Sequence, residues 1–104
     1  MASSKAYLDF IVEQLSDLSG ISYRAMMGEY ILYYNSKIVG GIYDDRLLVK
    51  PVKAARSLLP EAPLEAPYED ARAMLLVEQV DDAKFLCGLF AAMYDDLPKP
   101  KKKR

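Results

Sequence analysis

The 104 residues contain no histidine. That removes the usual general base near neutral pH and the commonest metal ligand. Cys87 is the only cysteine, so neither an internal disulfide nor a cysteine metal cluster is available, and a reducing cytoplasm fits best. Glycine is scarce, at five residues. Neither Met27-Gly28-Glu29 nor Gly40-Gly41 has the GxGxxG or GxxxxGK spacing of a phosphate loop. Apolar runs are short: Met74-Leu75-Leu76-Val77 falls far below the ~20 residues of a membrane span. Met1-Ala2-Ser3-Ser4 leads straight into an amphipathic segment, with no signal-peptide pattern.

What is present is 52% hydrophobic and 28% charged, ordinary values for one globular domain. The net charge of −1 hides an asymmetry. Lys99, Lys101, Lys102, Lys103 and Arg104 give the end of the chain +5, while residues 1–98 carry nine bases against 15 acids, a net −6. An acidic body grips a polyanion poorly, because phosphate neutralisation supplies most non-specific nucleic-acid affinity. Nucleic-acid binding is therefore unexpected for the body; a weak contact through the tail is the exception. Residues 99–104 read as a disordered basic tail, dispensable for folding.

No constellation of residues carries catalytic chemistry. Cys87 sits at the margin of an apolar helical stripe with no histidine to ionise it, and reads as a half-buried hydrophobe. Of the acidic pairs, Asp44-Asp45 suits a turn and Asp81-Asp82 a helix cap. Glu69-Asp70 and Asp95-Asp96 read as solvated charge. A hard cation needs more converging oxygens than one pair offers. No metal or cofactor is expected, and no enzymatic activity.

The centre of the chain is the most legible part. Two-residue loops at Asn35-Ser36 and Asp44-Asp45 pair Tyr34 with Lys37 and Tyr43 with Arg46. Counting back from them assigns Ile31, Tyr33, Ile38, Ile42, Leu47 and Val49 to a core face. Tyr30, Leu32, Tyr34, Lys37, Val39, Tyr43, Arg46, Leu48 and Lys50 fall on the other. That second set is apolar, rich in tyrosine and fringed with charge, a surface a lone domain is not expected to leave in water. Gly40-Gly41 inside a strand marks a bulge or close approach. Gly41 is expected opposite Tyr30, whose ring would cover it.

Around this sheet, residues Ser4 to Leu18 read as a helix with Leu8, Ile11, Val12, Leu15 and Leu18 on one side and Phe10 pointing away. Ile21 to Met26 is a strand, and Met27-Gly28 a bend. Val52 to Leu59 is a short helix, the stretch to Arg72 a loop, and Ala73 to Glu78 a strand. The last helix is capped by Asp81 or Asp82 and buries Phe85, Leu86, Leu89, Phe90, Met93 and Leu97 before Pro98 stops it. The order α-β-β-β-β-α-β-α predicts one two-layer α+β domain over residues 1–98, with helices on one face of a largely antiparallel sheet of about five strands.

The run Arg24-Ala25-Met26-Met27-Gly28-Glu29-Tyr30-Ile31-Leu32-Tyr33, continuing to Asp44-Asp45-Arg46-Leu47-Leu48-Val49-Lys50, resembles the N-terminal domain of the TfoX/Sxy family. The motif positions are Arg24, Met26, Gly28, Tyr30, Leu32, Tyr33, Asp44, Asp45, Leu47 and Lys50. Met27 replaces an aromatic, Glu29 and Ile31 replace glycines, and Asn35-Ser36 replaces an Asp-Gly turn. The resemblance implies a two-layer α+β domain of bacterial competence regulators. Such a domain usually precedes a helical second domain and acts with a cyclic-AMP-responsive activator. It implies no catalytic residues.

The expected function is therefore a stand-alone, cytoplasmic, non-enzymatic domain that works through protein contacts and forms a homodimer. The candidate surface is Tyr30, Leu32, Tyr34, Val39, Tyr43, Arg46 and Leu48, with Phe10 as a second candidate. The alternatives are a small-molecule pocket between sheet and helices near Arg24 and Met27, and weak nucleic-acid binding by the tyrosine face and basic tail.

Overall fold

Both two-residue turns form where the sequence places them. Asn35 and Ser36 take φ of 50° and 73°, and Asp44 and Asp45 take 54° and 56°. These are the left-handed values of type I′ turns, whose twist matches that of the strands they join. The computed structural model describes residues 4–26, 28–66 and 71–97. Its strands are β1 (Ile21–Met26), β2 (Glu29–Tyr34), β3 (Lys37–Tyr43), β4 (Arg46–Val49), β5 (Leu64–Glu65) and β6 (Met74–Val77). They make one sheet in the order β1-β2-β3-β4-β6-β5, with every neighbouring pair antiparallel.

Three helices, α1 (Lys5–Gln14), α2 (Lys53–Leu58) and α3 (Ala83–Met93), cover one face. The fold is the two-layer α+β sandwich expected, in the expected order, with β5 added from the stretch read as loop.

Local chemistry explains the helix boundaries. The Ser4 hydroxyl accepts the Tyr7 N–H at 3.1 Å, and the Asp82 carboxylate accepts the Phe85 N–H at 3.0 Å, each satisfying a donor that a helix start leaves unpaired. Beyond Gln14 the amides of Ser16 and Leu18 bond to carbonyls three residues back. The chain tightens there instead of continuing as α-helix to Leu18. Gly20 then takes φ +90°. No side chain of its own caps α2; the Ala54 N–H donates to the Asp96 carboxylate at 2.9 Å.

The core lies between the sheet and the helices. Leu8 and Ile11 from α1 with Leu15 just beyond it, Ala55 from α2, and Leu86, Leu89, Phe90 and Met93 from α3 are fully buried there. The sheet contributes Leu32, Val39, Ile42, Leu47, Val49, Leu75 and Val77. Phe10 stands off the stripe, 39% exposed, as its helical position predicts.

One irregularity decides which side of the sheet meets the helices. In the β2–β3 ladder Tyr34 pairs with Lys37 and Tyr33 with Ile38, but the next pair is Leu32 with Gly40. Val39 is the extra residue of a β-bulge, so Val39 and Gly40 together oppose Leu32. Uninterrupted counting puts Leu32 and Ile42 on opposite faces; the bulge puts them on the same one. Tyr30, Leu32, Tyr34 and Val39 therefore face the helices with Ile42, Leu47 and Val49. Ile31, Tyr33 and Ile38 turn to the open face with Gly41, Tyr43, Arg46 and Leu48.

Candidate interaction face

The reversal removes four residues from the expected contact surface. Leu32 and Val39 have no exposed area, and Tyr30 and Tyr34 pack against the core. Leu48 lies on the open face as expected, yet it too has no exposed area. Tyr43 and Arg46 remain on the open face, half-buried. Arg24 is exposed on that face, across from Ile31. Met27, the other expected pocket residue, lies outside the described residues. The family-motif positions serve mainly as architecture. Gly28 takes φ +85°, Asp44 and Asp45 make a turn, and Leu32 and Leu47 are core.

The expected positive fringe is largely engaged. Lys37 Nζ donates to the Tyr94 carbonyl at 3.0 Å and lies 3.9 Å from the centre of the Tyr94 ring. The same ring meets Tyr34 edge-on at 5.3 Å. A cation is thus placed at the C-terminal end of α3, where the helix dipole favours it, on a carbonyl that also accepts the Leu97 N–H at 3.2 Å. Arg46 forms an ion pair with Glu65 on β5 and donates from Nε to the Tyr43 carbonyl at 3.2 Å.

The open face holds a groove of about 610 Å³. Among the described residues, Met26, Ile31, Ile38, Tyr43 and Met74 line it, with Lys50 and Arg72 at hand and no carboxylate. Met26 and Ile38 are 47% and 39% exposed. Glycine shapes this region. A Cβ on Gly41 would stand 2.6 Å from the Tyr30 carbonyl oxygen and 2.7 Å from the Tyr43 ring. Tyr43, not Tyr30, therefore covers Gly41. Gly41 pairs with Ile31, while the Tyr30 ring lies on the helix side, edge-on to Tyr23 at 6.0 Å. A second depression, about 300 Å³ near the end of α2, is rimmed by Glu61 and Glu78.

Sequence reasoning missed the groove because its walls come from three distant stretches: Met26 to Tyr43, Lys50 to Val52, and Ala71 to Met74. The available signal was Gly40-Gly41, which marks the bulge without saying which residue is extra.

Two other groups bear on chemistry. Burial pushes the Cys87 thiol pKa up, and its Sγ donates to the Gln14 carbonyl at 3.5 Å. Tyr7 is raised as well, first by burial and then by the Asp45 charge. Among the described residues no three carboxylate or thiol groups gather where a metal ion could be held. No helix among them is long and apolar enough to cross a membrane.

The family model for the TfoX N-terminal domain matches residues 13–86, a span containing every strand of the sheet. A protein of Spirochaeta aurantia, described as an uncharacterized 12.7 kDa protein in the trpE 5′ region, is 30% identical over 105 residues. That alignment takes in all of this chain and 91% of the relative. No solved structure matches.

Proposed function

Because the chain belongs to the TfoX N-terminal domain family, we propose that it is a non-catalytic regulatory domain acting by protein contact through the open face of its sheet. The observation that carries this reading is the groove. Among the described residues, an apolar floor with exposed Met26 and Ile38 is left uncovered, the three helices lying on the other side of the sheet. Exposed apolar surface of this kind marks contact sites. Among the described residues the groove carries Lys50 and Arg72, on a body of net −6, which favours a partner segment that combines apolar side chains with carboxylates. A thiol whose pKa is raised, in a chain without histidine, supports a non-enzymatic role. The single cysteine favours a reducing, cytoplasmic setting, and the spirochaete relative favours a bacterial one.

The test compares capture of partner proteins by the wild-type chain and by Met26→Lys and Ile38→Lys, both at exposed groove positions. A partner bound by the wild type and lost by both variants, with unchanged circular dichroism and melting, supports the reading. Equal capture by all three places the contact elsewhere.

The groove volume supports a second reading, since small-molecule sites occupy roughly 300–1,000 Å³. The ligand would be an apolar carboxylate held by Lys50 and Arg72. Thermal-shift measurements with medium-chain fatty acids and aromatic acids test it. A rise in melting temperature that vanishes in Lys50→Ala and Arg72→Ala favours the ligand over the protein partner.

A further inference from the structure

The two edges of the sheet are built differently. β5 closes one edge with two residues directly after Pro63. β1 forms the other with six, and among the described residues it is hydrogen-bonded only to β2. Five of those six are exposed, with Tyr23 at 44% and Met26 at 47%. Its register with β2 is unbroken from Ile21 to Met26, so no bulge turns the outer edge away. The strand contains no proline and no lysine. Short strands, bulges, proline and charged side chains, lysine above all, are the devices that keep an edge from recruiting another strand. β5 is short, follows Pro63 and carries Glu65, whereas β1 has only the single charge of Arg24.

We infer that β1 is a dimerisation strand, pairing antiparallel with β1 of a second copy about a two-fold axis at Tyr23. The strand is complementary to itself. Residues directly opposite in an antiparallel ladder share a face. An axis at Tyr23 sets Tyr23 against the partner's Tyr23, Ile21 against the partner's Ala25, and Ser22 against the partner's Arg24. Apolar side chains meet apolar ones, and the one charge on the strand meets a hydroxyl. Shifting the axis to Arg24 would oppose two guanidiniums, which like-charge repulsion disfavours.

The Tyr23 register also continues contacts already present. Tyr23 packs edge-on against Tyr30 at 6.0 Å and 88°, so the joint extends an aromatic row from one Tyr30 through both Tyr23 rings to the other Tyr30. An axis perpendicular to the sheet keeps both helix layers on one side and both grooves on the other. The product is a continuous sheet of two six-stranded halves. A second copy supplies this match residue by residue, which an unrelated strand has no reason to do.

Sedimentation equilibrium of the full chain at about 100 µM, enough to populate a dimer of micromolar affinity, should give twice the chain mass of 11.7 kDa. Tyr23→Lys sets two ammonium groups on the axis and should return a monomer with unchanged circular dichroism, melting below the dimer because association stabilises the folded chain. In a Cys87→Ala background, Tyr23→Cys should cross-link efficiently on mild oxidation. Met26→Cys should not, because six residues of offset put the two copies of position 26 roughly 20 Å apart at ~3.3 Å per residue. A monomeric wild type overturns the inference. So does a dimer that survives Tyr23→Lys, or one that cross-links at position 26 as readily as at 23.

Discussion

Gly40 lies opposite Leu32, and Val39 beside it has no partner of its own in the β2–β3 ladder. The close approach at this bulge leaves no room for a side chain at position 40. A Cβ there would stand 2.0 Å from the Leu48 carbonyl oxygen and 2.7 Å from the Val49 Cα. Both obstacles are backbone, so β3 and β4 would have to separate where the sheet is most buried. Gly40→Ala should cost about 3 kcal/mol, the upper end of overpacking penalties. Gly88 lies on the exposed side of α3, and a Cβ added there would meet nothing within 4 Å. Gly88→Ala should therefore add about 0.5–1 kcal/mol through backbone entropy. Urea unfolding should move the two midpoints in opposite directions at constant slope.

Lys37 joins the β2–β3 turn to the end of α3 through the Tyr94 carbonyl and ring. Lys37→Met keeps most of the aliphatic stem but loses the charge, and should lower stability by about 1–2 kcal/mol. The carbonyl is main-chain, so Tyr94→Phe should leave the effect of Lys37→Met nearly unchanged, whereas Tyr94→Ala should shrink it by removing the ring. A double-mutant cycle followed by thermal melting separates the two contributions.

Most of the fold can be read from short-range pattern. The turns at Asn35-Ser36 and Asp44-Asp45, the buried stripes of α1 and α3, and the exposure of Phe10 each follow from spacing within a few residues. The interaction face cannot be read this way. Each hairpin is internally correct: Tyr34 pairs with Lys37, and Tyr43 with Arg46. Between them a single extra residue at Val39 reverses one hairpin relative to the other, and nothing local distinguishes Val39 from its neighbours as the bulged position. Lys37 reads as free surface charge in the sequence because its partner lies 57 residues away. Asp96 reads as solvated, although it caps a helix 42 residues before it. Pairings at such separations carry no spacing signal.

Ser36 holds φ +73° in an exposed turn, a conformation that costs an ordinary residue roughly 1–2 kcal/mol and glycine little. Ser36→Gly converts the loop to Asn-Gly, the favoured type I′ pair. Part of the gain is offset by glycine's greater freedom in the unfolded chain, leaving a net increase of about 0.5–1 kcal/mol. The melting temperature should rise by a few degrees. Ser36→Val should lower it, because a β-branched side chain tolerates a positive φ worst.

Tyr7 and Cys87 should each make stability fall as pH rises. Both have folded-state pKa values above the ordinary range, chiefly because burial disfavours their charged forms, with the Asp45 carboxylate adding to the effect on Tyr7. A group of this kind loses its proton first in the unfolded chain, so the unfolded state binds fewer protons as pH rises and stability falls. Both contributions are complete below the unfolded pKa values. The loss begins near pH 8.5 for the thiol and about pH 10 for the phenol. It continues until each folded group has also ionised. Denaturant unfolding from pH 7 to 11 should show a decline in two stages. Cys87→Ala should remove the earlier stage and Tyr7→Phe the later one, each flattening its own part of the profile whatever its effect at pH 7. A profile that neither substitution flattens would assign the alkaline loss to other groups. Native Cys87 should accordingly react with iodoacetamide more slowly at pH 8 than the same residue in urea, since only the thiolate attacks.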